Sequence, residues 1–235
     1  MHKIYGNSPD GFCVQTTACR GVRRGCGESL AVAGEILYYV SRGCVCAYDG
    51  SLPTEVSAPL GTLACDGASA GAVDARYYLS LSGEKNELLV YDTARSLWHR
   101  EDETRALAFC RSLGELYFLD EDGEIRTVGG RGERDTAPVC WYAETGRFGM
   151  DTHDRKRVTR LMLSVWLAFG SRLSIAIEYD SSGEWKRLFD VRGGKLASFT
   201  VPIRPARCDH FRLRLEGVGE AKLYSIAQAL VKGGA

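Results

Sequence analysis

The sequence contains no C-x-x-C pair, no excess of either charge and no apolar run long enough for a membrane-spanning helix, and each absence removes a class of protein. Thirty basic against thirty acidic side chains give a formal net charge of zero, which leaves only local patches for contacts to nucleic acid. The most apolar stretches, such as Leu161-Met-Leu-Ser-Val-Trp-Leu-Ala-Phe169, fall well short of the roughly 20 residues a spanning helix needs. Met1-His-Lys-Ile-Tyr-Gly6 lacks the apolar core of a signal peptide, so the protein is expected to stay where it is made, away from the membrane. What remains is an average globular composition, 45% hydrophobic and 26% charged over 235 residues. That length holds one large β domain or two ordinary ones.

Nine cysteines stand at positions 13, 19, 26, 44, 46, 65, 110, 140 and 208. An odd number without an export signal points to reduced thiols used as small core hydrophobes, not to a disulfide framework. Cys13, Cys19, Cys26, Cys44 and Cys46 are the available zinc ligands. Their spacings are not those of a zinc site, and no metal or cofactor is expected.

What the sequence does have is repetition. Tyr38-Tyr39, Tyr77-Tyr78 and Tyr117-Phe118 recur at intervals of about 40 residues, the length of a four-stranded propeller blade. Before each pair lies a small-residue or apolar stretch: Ser29-Leu-Ala-Val-Ala33, Ala68-Ser-Ala-Gly-Ala-Val73 and Arg105-Ala-Leu-Ala-Phe-Cys110. After each come a turn and a third strand: Cys44-Val-Cys-Ala-Tyr-Asp49, Glu87-Leu-Leu-Val-Tyr-Asp92 and Glu124-Ile-Arg-Thr-Val128. Outer strands follow at Pro53-Thr-Glu-Val-Ser57 and Ser96-Leu-Trp-His-Arg100. The spacing from Tyr91-Asp92 to Trp98 is similar to the kelch-type pattern. The third unit runs into a polar, Gly-rich stretch, Gly129 to Asp135, and Gly11-Phe-Cys-Val-Gln-Thr-Thr17 reads as the outer strand of a preceding unit. Three blades are too few to close a propeller, so the chain is expected to be either a wedge completed by self-association or a piece of a longer protein.

Beyond Trp141 the strands lengthen, and Leu173, Ile175, Ile177 and Tyr179, like Phe211, Leu213 and Leu215, alternate with period two. Such alternation marks strands with one buried face. The expected fold is therefore all-β: partial propeller-like repeats of about three four-stranded blades, followed by a jelly-roll-like β-sandwich. The expected domains are 1–147, with blades at about 29–67, 68–104 and 105–147 and a blade remnant at 1–28, and 148–235.

Chemistry-bearing clusters are few. Asp120-Glu-Asp-Gly-Glu124 reads as a hairpin turn and not as a calcium loop. Asp180-Ser-Ser-Gly-Glu-Trp185, a partial Asp-box, reads as a second hairpin. Asp151-Thr-His-Asp154 has no second histidine at ligand spacing and reads as a linker. Cys208 and His210 would share a strand face, but nothing orients them as nucleophile and base. The basic runs Arg20-Gly-Val-Arg-Arg24, Arg155-Lys-Arg157 and Arg204-Pro-Ala-Arg207 are the candidate contacts to passing DNA, though few aromatics accompany them. No catalytic, cofactor-binding or metal-binding residue is assigned.

Asp10-Gly-Phe12, Leu37 to Gly43, Tyr48 to Pro53, Leu88-Leu-Val-Tyr-Asp92 with Trp98, and Leu116 to Gly123 resemble the propeller portion of prophage-encoded virion structural proteins of Gram-positive gut bacteria. Trp141 with Thr145-Gly-Arg-Phe148, Lys156-Arg-Val158, Arg207 to Leu215 and Gly217-Val-Gly219 extend the resemblance over essentially the whole chain. It implies a non-enzymatic component of a phage tail, neck or nozzle, working through protein–protein interfaces. Its partners would be other virion structural proteins and further copies of itself. It would sit in the bacterial cytoplasm during assembly and in the virion afterwards. The alternative is a carbohydrate-binding module for host-surface glycans.

Overall fold

The computed structural model describes residues 2–128, 139–150, 155–194, 196–204 and 206–232. The chain is all-β and divides into two compact units, Met1–Gly132 and Glu133–Ala235. Among the described residues no helix is long and apolar enough to cross a membrane.

The first unit opens with β1 (His2–Tyr5) and β2 (Cys13–Thr16), which pair with each other as an antiparallel hairpin. The expected remnant of a preceding blade is thus a two-stranded sheet of its own. Gly6, at φ +133°, and a short 3-10 turn at Pro9–Gly11 reverse the chain between the two strands. Blade 1 follows as β3 (Ala31–Ala33), β4 (Ile36–Val40), β5 (Val45–Tyr48) and β6 (Thr54–Glu55). Blade 2 is β7 (Gly67–Val73), β8 (Arg76–Ser82), β9 (Glu87–Asp92) and β10 (Leu97–Asp102). Blade 3 contributes β11 (Ala106–Ser112), β12 (Glu115–Asp120) and β13 (Ile125–Thr127). Each blade is a meander whose strands pair in sequence order. The described sheets do not close into a ring. The Gly-rich stretch after Val128 lies outside the described residues.

In every blade exactly the same loop length, two residues, joins the first two strands: Gly34-Glu35, Asp74-Ala75 and Leu113-Gly114. Gly34, Glu35, Asp74, Leu113 and Gly114 all have positive φ, the backbone of tight hairpin turns. Aligned on these turns, Tyr38, Tyr78 and Tyr117 are equivalent, so the aromatic doublet of blade 2 sits one residue out of step with the sequence repeat. A shift of one residue exchanges the faces of a strand. Tyr38 faces blade 2, where it meets Tyr77 at 5.3 Å and Tyr91 at 5.6 Å between ring centroids. Tyr78 packs with Val90, Leu116 and Phe109 between blades 2 and 3.

The first interface is the core of the unit. Tyr77 is fully buried and donates its hydroxyl proton to the Ser29 carbonyl at 2.8 Å. Trp98, opposite Tyr91 in register, stacks on it at 4.8 Å and donates its indole N–H to the Val56 carbonyl. Asp92 completes the Tyr-Asp…Trp pattern by accepting bonds from the Arg95 amide and guanidinium, closing the turn into β10. At the second interface Gly71 lets blade 3 approach. A Cβ there would lie 2.6 Å from Phe109 Cβ and 2.8 Å from Leu116 Cδ1.

The second unit comprises β14 (Cys140–Glu144), β15 (Lys156–Leu167), β16 (Arg172–Tyr179), β17 (Lys186–Arg192), β18 (Leu196–Val201), β19 (Arg207–Cys208), β20 (Phe211–Val218) and β21 (Ala221–Lys232). One sheet runs β14-β20-β16-β17. In the other, β15 is flanked by β18 and β19 on one edge and β21 on the opposite edge. Their facing side chains, among them Leu161, Leu163, Val165, Ile175, Ile177, Phe211 and Leu213, form a single buried cluster, which makes the unit a β-sandwich. The boundary precedes the expected 147/148. The strand at Cys140–Glu144 belongs to the sandwich because it pairs with β20, and Trp141 fills the space above Gly217.

Gly71→Ala is expected to destabilise the first unit by about 1–3 kcal/mol through overpacking between blades. The check is the urea midpoint of unfolding, compared with that of Gly27→Ala, where no atom lies near the added methyl group and the backbone is not left-handed.

Candidate functional site

The clusters singled out in the sequence are used by the fold. Asp120 Oδ1 accepts the amide protons of Asp122 and Glu124 at 3.0 and 2.8 Å, and Arg126 Nε donates to Oδ2 at 2.5 Å. The Glu124 amide, then Arg126, hold its carboxyl below the ordinary aspartate range, so the side chain shapes the β12–β13 hairpin. Asp180 and Ser181, both at positive φ, form the turn from β16 to β17, and Asp180 Oδ1 accepts the Asp209 amide at 2.7 Å. Cys208 and His210 do not meet as a pair. β19 ends at Cys208, whose buried thiol is pushed up to about 11, while the His210 ring bonds the Ser181 hydroxyl at 2.7 Å. Asp151–Asp154 lies outside the described residues.

Four of the nine thiols lie in two close pairs, Cys26 with Cys65 and Cys44 with Cys46, at 3.9 and 3.8 Å between sulfurs. Burial raises the Cys26 and Cys46 thiols, which keeps them protonated. Among the described residues no group of three or more His, Cys, Asp or Glu is placed to hold a metal ion.

Two surfaces stand out instead. The first is the outward face of blade 3. Cross-strand pairing sets Ala108, Leu119 and Ile125 in one row and Cys110, Tyr117 and Thr127 in the next. Neither row carries a charge. The face equivalent to it is covered by the following blade at Tyr38 and at Tyr78, whereas no described strand of this unit covers Tyr117, and Ile125 is 75% exposed. The doublet pattern in the sequence does not show this face, because it aligns Tyr117 with Tyr77, whereas the turns align it with Tyr78.

The second surface is the outer face of the sandwich sheet, a cleft of about 690 Å³. Glu144 on β14 accepts two bonds from Arg214 on β20, at 2.9 and 2.6 Å, and Arg187 and Asp190 on β17 pair at 2.8 and 2.6 Å. The Arg214 guanidinium lies 4.3 Å from the Trp185 ring centroid and that of Arg212 5.3 Å. Tyr142 is exposed along one wall. Arg187 draws the Asp190 carboxyl below its ordinary range, the opposite of what a general acid requires. Beside the cleft Glu178 is buried, accepting bonds from the Gly183 amide at 2.7 Å and Arg212 Nε at 2.6 Å. Burial pushes its carboxyl up, but the Gly183 amide and the Arg212 guanidinium outweigh that and hold it below the usual glutamate value.

No protein-family model and no curated protein matches the chain. Solved structures do match. One is an exo-beta-1,3-galactanase from Phanerochaete chrysosporium with galactose, at 9% identity and a TM-score of 0.27, over 80% of this chain and 65% of that one. Another is a variant of the same enzyme with beta-1,3-galactotriose, at 8% identity and a TM-score of 0.25, over 95% and 74%. The chain thus spans just under two thirds of the first galactanase's length. Superpositions this loose carry no argument about activity.

Because the folded carboxyl of Glu178 titrates below the unfolded value, its contribution is present above about pH 4.3 and is lost as pH falls through the folded value. Glu178→Gln is expected to flatten the acid limb of the sandwich's stability. Urea midpoints measured from pH 7 down to about 3 check this: a variant limb as steep as the wild type's would contradict it.

Proposed function

We propose that this chain is a non-enzymatic structural component of a phage or prophage particle, built into a tail or neck assembly and acting through protein–protein interfaces. The resemblance of its blades and sandwich to prophage virion proteins supports the particle. The observation that carries the interface is the outward face of blade 3, where Tyr117, its hydroxyl donated to the flanking Glu115 carboxylate, occupies the position that a following blade buries at Tyr38 and Tyr78. An exposed sheet of this kind is a docking surface by default. The occupant it fits is another β-sheet bearing an apolar face, from a further copy or from a neighbouring virion protein.

Leu119→Lys with Ile125→Lys places two charges in that face without touching the buried side of blade 3. Association measured by light scattering is expected to weaken by roughly 30-fold or more, the scale of a lost hot spot. The decisive measurement is mass spectrometry of particles released by the host that encodes the chain. Its absence from purified particles, together with a wild-type mass that stays monomeric at every concentration, would refute the proposal.

A second reading has its own observation. Trp185 and Tyr142 flank a floor of arginine and glutamate on the outer sandwich sheet, and aromatic faces with convergent polar groups suit sugar rings. A glycan array distinguishes the two. Selective signal abolished by Tyr142→Ala supports a carbohydrate-binding module, and an empty array removes it.

A further inference from the structure

We propose that an arginine cleft on the first blade holds the phosphodiester backbone of a nucleic acid, independently of its sequence. The cleft has a volume of about 890 Å³ and is lined by Arg20, Arg23, Arg24 and Arg42, with Ser41 between them and no acidic side chain among its described lining residues. Three of these arginines were visible as a run in the sequence. The turn between β4 and β5 brings the fourth, Arg42, against them.

The charge is held in place by the backbone. The Arg23 amide donates to the Val40 carbonyl at 2.9 Å, the Tyr39 hydroxyl to the Arg20 carbonyl at 2.7 Å, and the Ser41 hydroxyl to the Gly21 carbonyl at 2.8 Å. These bonds fasten the arginine segment to the end of β4, so a ligand meets a preorganised surface and little ordering cost remains. Arg20 divides its guanidinium between Glu55 at 2.8 Å and the Cys44 thiol at 2.9 Å. The half-buried Arg23 reaches the Cys65 sulfur at 3.6 Å, a weak acceptor. Arg24 and Arg42 are exposed. One carboxylate therefore answers four converging positive charges.

Guanidinium groups match phosphate oxygens bidentately. The described lining contains no aromatic ring on which a base could stack, which favours backbone contact over base readout. The chain as a whole has no net charge, so attraction to a polyanion must come from a local feature such as this one.

The test is fluorescence anisotropy of a labelled random-sequence duplex titrated with the full chain at several salt concentrations. Wild type is expected to bind at about 50 mM salt, with an affinity that falls linearly on a log–log plot. Arg24→Ala with Arg42→Ala is expected to weaken binding by roughly 10-fold or more and to reduce the salt slope by about 2. Arg172→Ala with Arg192→Ala, on the sandwich, is expected to leave both unchanged. An unaltered urea midpoint identifies the variants as folded. The proposal is overturned by absence of duplex binding in the wild type, by equal loss in the sandwich variant, or by calorimetric saturation with inorganic phosphate in a protein that binds no duplex.

Discussion

A small sheet of three or four strands has two faces and can bury neither by itself. Between blades 1 and 2 that requirement is met by Tyr38, Tyr77, Tyr91 and Trp98, whose rings lie 4.8 to 6.4 Å apart along the contact. Aromatic side chains of this kind each remove about 150–250 Å² from water. Two of the polar tips are anchored across the contact: Tyr77 and Trp98 each find a backbone carbonyl on blade 1 or its flanks. The same bonds that satisfy the rings therefore fix the spacing of the two sheets. The two-residue turns then matter as much as the rings, because a single-residue slip would carry Tyr77 to the wrong face. Gly71 plays the converse part at the next interface, where a missing side chain admits Phe109 and Leu116.

The sandwich solves the same problem by alternation. Every second residue of β16 and β20 enters the core, and Arg172, Glu178, Arg212, Arg214 and Glu216 are among those between them on the other face. Glu178 is the exception, a carboxylate that is almost fully buried yet held by an amide and a guanidinium. A buried charge is tolerated only when it is paired and bonded in this way. Its partner Arg212 also lies over Trp185, so the pairing of this buried charge and the packing of the outer face meet at one side chain.

Much of this was legible in the sequence because it is local. Turn residues and period-two alternation placed the strands of blades 1 and 2 and of the sandwich within a few residues. The errors arise where the deciding partner is distant. Cys140–Glu144 could not be assigned without β20, about 70 residues further on, and its apolar residues suited either unit. Tyr77-Tyr78 and Tyr117-Phe118 look alike as doublets, yet only the preceding turn says which member faces forward. The arginine cleft was half visible. Arg20 to Arg24 formed a run, but Arg42 joins it through the β4–β5 turn, and nothing in its neighbours announces that position.

The two ends of the blade stack differ in a way that constrains assembly. At blade 1, Leu37, Tyr39, Cys44, Cys46 and Tyr48 form the outward apolar cluster, and the chain caps it with its own Arg20 segment and with Lys3 over Tyr48. At blade 3 no described strand of the unit provides an equivalent cap. Growth of a ring from copies of this chain alone would join the open end of one to the capped end of the next, and would have to displace that segment. Two copies meeting open face to open face would instead form an isologous pair, which closes at two and cannot extend. A different protein presenting a single apolar blade would likewise end the stack. The Arg20 segment and Lys3 thus cover at blade 1 the kind of apolar face that no described strand of the unit covers at blade 3, so the two ends of the stack are not interchangeable.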